Sequence, residues 1–303
     1  MVEAVAVSSP NPDFIKAGRL AARVLKETAQ LVKPGVKVLK VCTFAEKKIL
    51  EYGGGIAFPL NVSTNEEAAH YTSPHGDKRT FPDKGLVKVD LGTHVNGHIA
   101  DTAVTVDLDG SFERFIAAAQ AGLDAAIEVV RPGVPVGEVG AAIERAIKKH
   151  GLRPIHQLSG HQMKPWNLHA GNNVPNVRTR RSPRMKLGET YAIEPFATDG
   201  NGTIKSGSNS YIFSNIMSNK SKLDSLTNQV RKAARKRFGT LPWASRWLDS
   251  SKVDVPAALN TLLRAGAIRD YPVLIEGKDG MVSQFEHSLF VAEDGPIVTT
   301  LRQ

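Results

Sequence analysis

The sequence predicts an α/β fold made of two related halves, and an internal repeat is the main observation behind this prediction. Residues 17–52 and residues 121–150 each read as a helix pair with the same turn residues, and the two segments superpose without a gap at an offset of 98. Each copy then leads to an apolar strand that ends in an acid, at Asp90 in the first and at Glu194 in the second. Such a match indicates two copies of one supersecondary unit packed on each other.

The helices of the first copy follow from apolar periodicity. Residues 17–33 place Leu20, Val24, Leu31 and Val32 at helical spacing, and this stretch stops at a Pro-Gly pair. A second helix is expected around residues 43–52, because three consecutive glycines follow it.

The second copy has the same helix-ending residues. Its first helix, over residues 121–131, stops at Pro132-Gly133, and its second helix, around residues 136–150, is closed by Gly151. The ungapped correspondence also places Glu46 on Glu144. Matched turns are a stronger sign of duplication than two helix pairs alone.

Residues 202–265 have no counterpart in either half. Helix and turn are expected to dominate there, with one apolar face and a later helix that begins at Asp254-Pro256 and ends before Gly266. The apolar face is formed by Leu223, Leu226, Val230 and Phe238. We therefore predict a catalytic domain of residues 1–201 and 266–303 with an insertion of residues 202–265, after which strand character resumes at Val282.

The segment between residues 87 and 108 predicts two acids on one face of a hairpin. Asn96-Gly97 between β-type residues is a strong signal for a two-residue turn, which would place Gly92 opposite Asp101. Side chains alternate along a strand, so Asp90 and Asp101 become diagonal neighbours with Cβ atoms about 7 Å apart or less. Solvation at a sheet edge would explain such a pair, but the neighbours are apolar. A bound cation removes the repulsion, and these carboxylates could span the metal pair of a dinuclear hydrolase.

Three further residues are candidate ligands. Glu194 lies in an apolar strand, where an unpaired carboxylate is costly to bury, and Glu286 shares one strand face with Gln284 and Ser288. His161 follows Ser-Gly, which permits close approach of a ligand. Each has an ordinary structural explanation on its own. Together, four carboxylates and one imidazole favour two divalent ions of Mn, Fe, Co or Zn.

Composition excludes several classes of protein. The single Cys42 excludes an internal disulfide framework and is typical of a reducing compartment. The first 16 residues lack the pattern of a signal peptide, and no apolar run approaches a membrane span. We therefore expect a cytoplasmic protein with no membrane association. The net charge of +9 is concentrated in residues 202–265, which hold 11 Lys+Arg and 3 acids.

Six segments carry a resemblance to a known family, and they occur in the family's order from about residue 14 to the C-terminus. They are GIAFPLNVSTNEEAAHYTS, VDLGTHVNGHIADTAVTV, LSGHQMKPWNLHAG, AIEPFAT, FGTLPWASRWL and QFEHSLFV. The sequence closely resembles type 2 methionine aminopeptidases, which remove the initiator methionine from nascent proteins. The resemblance implies the pita-bread fold of two pseudo-symmetric halves with a helical, winged-helix-like insertion, and a chain of archaeal-like length.

The resemblance also implies the metal ligands. Asp90, Asp101, His161, Glu194 and Glu286 match the family's five. In the family's arrangement Asp101 and Glu286 bridge the two ions, Asp90 completes one metal site, and His161 with Glu194 completes the other.

The remaining site residues are carried over in the same way. His70 matches the histidine beside the scissile bond, and His169 matches the histidine that contacts the substrate carbonyl. The mechanism expected from the family has Glu194 accept a proton from the attacking water. Removal is expected only before a small second residue. The methionine pocket is expected to be lined by Phe58, Leu168, Phe196 and Tyr271.

Two rival functions remain open from sequence. A proline-specific aminopeptidase or prolidase shares the five ligands but usually carries a whole N-terminal domain. A non-catalytic relative that binds the ribosome or RNA would typically lose ligands, whereas all five positions are filled here. The basic runs at residues 178–186 and 231–237 keep a contact with ribosomal RNA open beside catalysis, although solvated basic faces explain each run as well. The family resemblance implies a monomer.

Overall fold

The helix pairs of the two halves correspond as the repeat predicts. In the computed structural model, which describes residues 9–248 and 254–301, the four helices are α1 (Pro12–Ala29), α2 (Val38–Glu51), α3 (Glu113–Val129) and α4 (Val136–Lys149). The offset of 98 carries the bounds of α2 onto those of α4. Helix α1 begins earlier than expected because the Asn11 side chain accepts a hydrogen bond from the Asp13 backbone N–H, which caps it before Pro12.

The turns between the helices correspond as well. Gly35 and Gly133 have positive φ angles of 74° and 85°, and each backbone N–H donates to the carbonyl of a later loop residue, Phe81 or Met185. Left-handed backbone at these positions explains why both copies keep glycine there. The duplication predicted from sequence is therefore confirmed for the helix pairs and for the glycine turns between them.

The strands of the first half form a three-stranded antiparallel sheet in the order β1-β3-β4. Its members are β1 (Gly55–Thr64), β3 (Leu86–Val95) and β4 (His98–Asp107). Helices α1 and α2 cover one face of this sheet, and the core between them includes Val24, Leu25, Val41, Leu60 and Val89. Burial of these aliphatic side chains is the main stabilising contribution to this half.

The second half is built around a five-stranded sheet in the order β15-β14-β8-β6-β7. These strands are β6 (Ser159–Met163), β7 (Asn173–Pro175), β8 (Thr190–Ile193), β14 (His287–Ala292) and β15 (Gly295–Val298). A small sheet beside it joins β5 (Arg153–Pro154), β9 (Phe196–Thr198) and β13 (Val282–Gln284). Helices α3 and α4 pack on this half through a core that includes Leu123, Val139, Ile143, Tyr191 and Leu289.

A fourth sheet links the halves to a helical segment. It has the order β11-β10-β12-β2, with β2 (Glu67–Ala69), β10 (Ile204–Asn215), β11 (Trp243–Ala244) and β12 (Ile268–Glu276). The helical segment consists of α5 (Ser225–Phe238), a 3₁₀ helix (Ser245–Trp247) and α6 (Val255–Arg264). It has a core of its own that includes Phe213, Val230, Trp243, Leu259 and Leu262.

Three expectations for this region were wrong. Strand β10 occupies residues where helix and turn were expected, and β12 returns to strand before Val282. Gly, Ser and Asn, which are depleted in strands, fill much of β10, and the β10–β12 register shifts around Ser210, so the alternation is broken. Leu226 was expected on the apolar face of α5 but is 47% exposed.

The predicted domain ranges include residues 1–8, 249–253 and 302–303, which lie outside the described residues. Within the part of the chain that the structure describes, no helix is long and apolar enough to cross a membrane.

Candidate active site

The hairpin of β3 and β4 has the register that its turn predicts. Asn96 and Gly97 have φ angles of 49° and 87°, as a two-residue turn of this kind requires. Gly92 pairs with Asp101, and Asp90 pairs with Ala103 one step along the same face. The two aspartate side chains are therefore neighbours, as predicted.

The edge of β4 joins the first half to the second, through hydrogen bonds to residues 286–288. The Thr102 hydroxyl donates to the carbonyl oxygen of Glu286 at 2.9 Å, and the Glu286 backbone N–H donates to the carbonyl of Ala103 at 3.1 Å. The Ser288 hydroxyl bonds to both backbone polar groups of Asp101. These bonds bring Asp101 and Glu286, which are distant in sequence, to the same place.

The second half supplies the other two candidate ligands. His161 lies on β6 opposite Ala192 of β8, and Glu194 follows the end of β8 rather than lying within it. Pro195, which has no N–H for a sheet ladder, separates Glu194 from β9. The His161 Nε2 atom lies 3.4 Å from an Asp101 carboxylate oxygen and 3.9 Å from one of Glu194.

This cluster fits a bound cation. The candidate ligand atoms of Asp101, His161 and Glu286 all lie within 4.8 Å of one another, and the three side chains are buried. One buried oxygen each of Asp90 and Asp101 has no hydrogen-bond partner among the described residues. Buried carboxylate oxygens are costly when they lack a partner, and a hard divalent ion with oxygen and imidazole ligands would satisfy them.

The electrostatics of the cluster agree with this fit. Burial, together with the neighbouring carboxylates, raises the pKa values of Asp90, Glu194 and Glu286 well above their usual range. Burial raises the pKa of Asp101 to about 7. Burial also lowers the pKa of His161 to about 4, so its imidazole is neutral near neutral pH, as a metal ligand must be.

All the candidate site residues line one cavity of about 340 Å³. They are Phe58, His70, Asp90, Asp101, His161, Leu168, His169, Glu194, Phe196, Tyr271 and Glu286. The cavity thus has a carboxylate-rich end and an apolar wall, which is the usual composition of a pocket that orients a partly apolar ligand.

His70 is held in an unusual conformation on the cavity wall. Its φ angle is 68°, in the left-handed region that few residues other than glycine adopt. Its Nδ1 lies 3.2 Å from the carbonyl oxygen of Pro272, and its ring meets the edge of Tyr271. Burial lowers the pKa of His70 to about 4. Since a carbonyl only accepts, Nδ1 carries the proton and Nε2 is left as an acceptor.

His169 lies beside the candidate ligand His161. The two ring centroids are 4.4 Å apart with tilted planes. Burial, and the repulsion that a protonated His161 would exert, lower the pKa of His169 to about 3, so both rings are neutral near neutral pH. A neutral imidazole next to the cluster can donate one hydrogen bond to a substrate oxygen.

Sequence reasoning missed several residues of this site. Gln284 donates from its side-chain nitrogen to a Glu194 oxygen at 3.5 Å, and Asn61 lines the cavity opposite Asp90 in the β1–β3 register. The sequence did contain a signal for both, because each is an amide within an apolar strand. The structure buries both side chains, and buried amides need hydrogen-bond partners. Ile212 and Pro242 also line the cavity but carry no comparable signal in the sequence.

Comparison with known proteins decides the family. A model of metallopeptidase family M24 matches residues 13–217. The methionine aminopeptidase of Methanocaldococcus jannaschii is 41% identical over 290 residues, which cover 95% of this chain and 97% of the relative. The chain belongs to metallopeptidase family M24, among the methionine aminopeptidases. This membership accounts for the buried His, Asp and Glu group that could hold metal in this M24 chain.

Solved structures agree with the fold of this M24 member. The structure of a thermophilic Arx1 has a TM-score of 0.84 at 15% identity, covering 95% of this chain and 89% of that one. A methionine aminopeptidase from Thermotoga maritima has a TM-score of 0.70 at 19% identity, covering 98% and 99%. These likenesses confirm the predicted α/β pita-bread fold.

Proposed function

We propose that the chain is a type 2 methionine aminopeptidase that removes the initiator methionine from nascent polypeptides. The observation that carries this proposal is the convergence of five candidate metal ligands on one cavity, in a chain 41% identical to a methionine aminopeptidase over nearly its whole length. The substrates are protein N-termini, and the enzyme is a cytoplasmic monomer in this proposal.

The ligand set is assigned to two divalent ions of Co, Mn, Fe or Zn. Asp101 and Glu286, whose segments are joined by hydrogen bonds of the Thr102 hydroxyl and the Ala103 carbonyl to the Glu286 backbone, would be shared by the two ions. Asp90 would complete one site, and His161 with Glu194 the other. When bound, such a metal pair lowers the pKa of water and polarises the scissile carbonyl.

The chain's own residues handle the protons and the substrate. Glu194, whose pKa is raised by burial and by the charges of Asp101 and Asp90, is suited to accept a proton from water. His169 would donate a hydrogen bond to the substrate carbonyl oxygen, where negative charge develops. His70, with Nδ1 directed at Pro272, would use Nε2 to accept a hydrogen bond from the scissile amide N–H.

The apolar wall of the cavity is suited to a methionine side chain. Phe58, Leu168 and Phe196 are buried there, and Tyr271 contacts His70 at the same wall. A cavity of about 340 Å³ has room for a methionine residue. Cleavage only before a small second residue is part of the proposal.

We assign residues 202–265, which contain the helical segment, to an insertion in a catalytic domain formed by residues 1–201 and 266–303. Its separate hydrophobic core supports this assignment. The strands that precede and follow its helices, β10 and β12, pair with each other, so the inserted part can fold as one lobe. A winged-helix-like shape for this lobe remains part of the proposal.

A contact between this lobe and ribosomal RNA is a second proposal. Fewer cations of the basic run at residues 231–237 are available for it than the sequence implied, because its arginines bind carbonyl oxygens of the protein. In the basic run of α5, Arg231 donates to the carbonyl of Ser221, Arg235 to those of Ile216 and Asn219, and Arg237 to that of Trp247. The exposed ammonium groups of this run belong to Lys232 and Lys236.

Neutralising charge while keeping these backbone contacts therefore requires Lys232→Gln and Lys236→Gln rather than changes of the arginines. We expect this double variant to weaken salt-sensitive binding to ribosomes while peptide turnover stays unchanged. Unchanged ribosome binding would leave these lysines as solvated surface charges.

A peptide-cleavage assay tests the main proposal. Peptides that begin Met-Ala, Met-Lys and Xaa-Pro are offered to metal-loaded enzyme. We expect cleavage of Met-Ala only, because the second residue must be small. Preference for Xaa-Pro would indicate a proline-specific aminopeptidase, and no cleavage of any peptide would indicate a non-catalytic relative.

A further inference from the structure

A buried arginine connects the helical segment to the irregular segment that follows His70. Arg246, in the 3₁₀ helix Ser245–Trp247, is 6% exposed in its side chain and forms an ion pair with Glu46 of α2. Trp247 donates from Nε1 to the other Glu46 carboxylate oxygen at 2.9 Å. Both oxygens of Glu46 are thus used by the helical segment, across about 200 residues of sequence.

The repeat makes this use of Glu46 distinctive. Glu144 occupies the equivalent position on α4, but its partners are Lys148 on the same helix and the backbone N–H of Arg178. An acid is present at this position in both α2 and α4, but in the described part of the chain only Glu46 of these two binds the helical segment.

The same guanidinium also contacts the segment after His70. Its Nη1 donates to the Thr72 hydroxyl oxygen at 2.8 Å and to the Ser73 carbonyl at 2.9 Å. The Thr72 hydroxyl in turn donates to the Leu60 carbonyl of β1 at 2.6 Å. Thr72 is therefore fixed from both sides, two residues beyond a histidine whose backbone is held in the left-handed region. Such a conformation persists only where its surroundings enforce it.

The other end of this segment reaches the substrate cavity. Leu241 packs with Phe58 and Leu168, and Pro242 lines the cavity beside them. Strand β11, which follows Pro242, pairs with β10 next to Ile212, another lining residue. Residues 241–247 thus contact the apolar wall at one end and the segment after His70 at the other.

We infer that Arg246 is a positioning residue: through Glu46, Thr72 and Ser73 it holds the His70 imidazole and the Pro242 wall in the geometry that cleavage requires. The inference rests on the proposed function, since it assigns a purpose to the position of His70. It makes the helical segment part of the active-site framework.

Paired variants of Thr72 test this inference with little risk to the fold. Thr72→Val removes the hydroxyl that Arg246 contacts and keeps the side-chain shape, whereas Thr72→Ser keeps the hydroxyl. We expect Thr72→Val to lower kcat for Met-Ala-Ser by about tenfold to a hundredfold with KM and metal affinity nearly unchanged, because misplacement of a reacting group costs rate. Thr72→Ser should retain wild-type kcat.

A double variant separates positioning from stability. Replacing the pair by apolar residues, Arg246→Met with Glu46→Leu, leaves no buried unpaired charge, and such replacements often preserve stability. We expect a folded enzyme with low kcat, since Thr72 and Ser73 still lose their donor. Arg235 also donates to two carbonyls, but these belong to Ile216 and Asn219 within residues 202–265, so Arg235→Met should keep wild-type kcat.

The imidazole signals of His70 in a nitrogen-correlated NMR spectrum provide a readout that does not depend on activity. We expect them to shift in Thr72→Val and to remain in Thr72→Ser and Arg235→Met. Wild-type kcat and unshifted His70 signals in Thr72→Val would overturn the inference. If the wild-type enzyme cleaves no peptide, the proposed function fails, and the NMR result still decides the positioning of His70.

Discussion

The Ser288 hydroxyl and the backbone of Asp101 form a reciprocal pair of hydrogen bonds. The Asp101 N–H donates to Ser288 Oγ at 2.7 Å, and the hydroxyl donates to the Asp101 carbonyl at 2.8 Å. One side chain of the second half thus satisfies both backbone groups of a candidate ligand in the first half. The candidate metal site and the junction of the two halves are therefore formed by the same contact.

Ser288→Ala should therefore weaken both stability and metal binding. Two buried backbone groups of Asp101 would lose their partner, at a cost of about 1–3 kcal/mol in the free energy of unfolding. Metal affinity should fall by about tenfold or more, as when other supporting partners of ligands are removed. Calorimetry of metal binding and denaturant unfolding measure the two effects. Ser283→Ala, which removes a buried hydroxyl bonded to the Phe115 carbonyl, should cost stability alone.

Glu286→Gln tests the bridging carboxylate. The substitution keeps the size of the side chain but removes the negative charge that two ions would share, so we expect loss of at least one metal and of most of kcat. Elemental analysis and peptide turnover measure these outcomes. Glu276→Gln is the matched control, because Glu276 is a buried carboxylate that accepts backbone N–H groups of Gly202, Lys278 and Gly280 outside the cavity. Full kcat in Glu286→Gln at full metal content would refute the bridging role.

Metal binding should release protons near neutral pH. The raised pKa of Asp101, about 7, and the raised pKa values of Asp90, Glu194 and Glu286 mean that the metal-free cluster holds protons that a cation displaces. Affinity should fall as pH falls through about 7, where Asp101 becomes protonated. His161, with its pKa lowered to about 4, does not compete for protons in this range.

Titration calorimetry in two buffers of different ionisation enthalpy counts the released protons. A binding enthalpy that is the same in both buffers near neutral pH would contradict the raised pKa values of the carboxyl groups.

Gly97→Ala should destabilise the hairpin that positions both aspartates. Gly97 has a φ of 87°, and a Cβ at this position would collide with the indole ring of Trp166. We expect a loss of about 2 kcal/mol or more in the free energy of unfolding, from backbone strain and overpacking together. Gly110→Ala is the control, since Gly110 has a φ of 76° and, apart from its chain neighbours, no atom of the described residues lies within 4 Å of where its Cβ would be. Equal losses in the two variants would show that the Trp166 contact adds nothing.

Local patterns in the sequence predicted much of the fold and the site. The repeat predicted α2 and α4, and Asn96-Gly97 predicted the register of Gly92 with Asp101. Turn chemistry and periodicity are properties of neighbouring residues, so a single sequence contains them.

Contacts between distant segments were beyond reach. The pairing of β10 with β12 joins residues about 60 apart, and the Arg246–Glu46 ion pair joins residues about 200 apart. No periodicity reports such contacts, because the alternation in β10 is broken and Arg246 lies in a short 3₁₀ helix. Glu194 was predicted to lie in a strand because the apolar pattern continues past it. The strand β8 ends at Ile193, before Glu194 and Pro195.

Turnover of Met-Ala-Ser before and after chelation tests the central claim most directly. We expect free methionine to be released by the metal-loaded enzyme, release to stop on exhaustive chelation, and activity to return with Co or Mn in proportion to the metal bound. Turnover that persists after metal has been removed completely would contradict a metal centre formed by Asp90, Asp101, His161, Glu194 and Glu286.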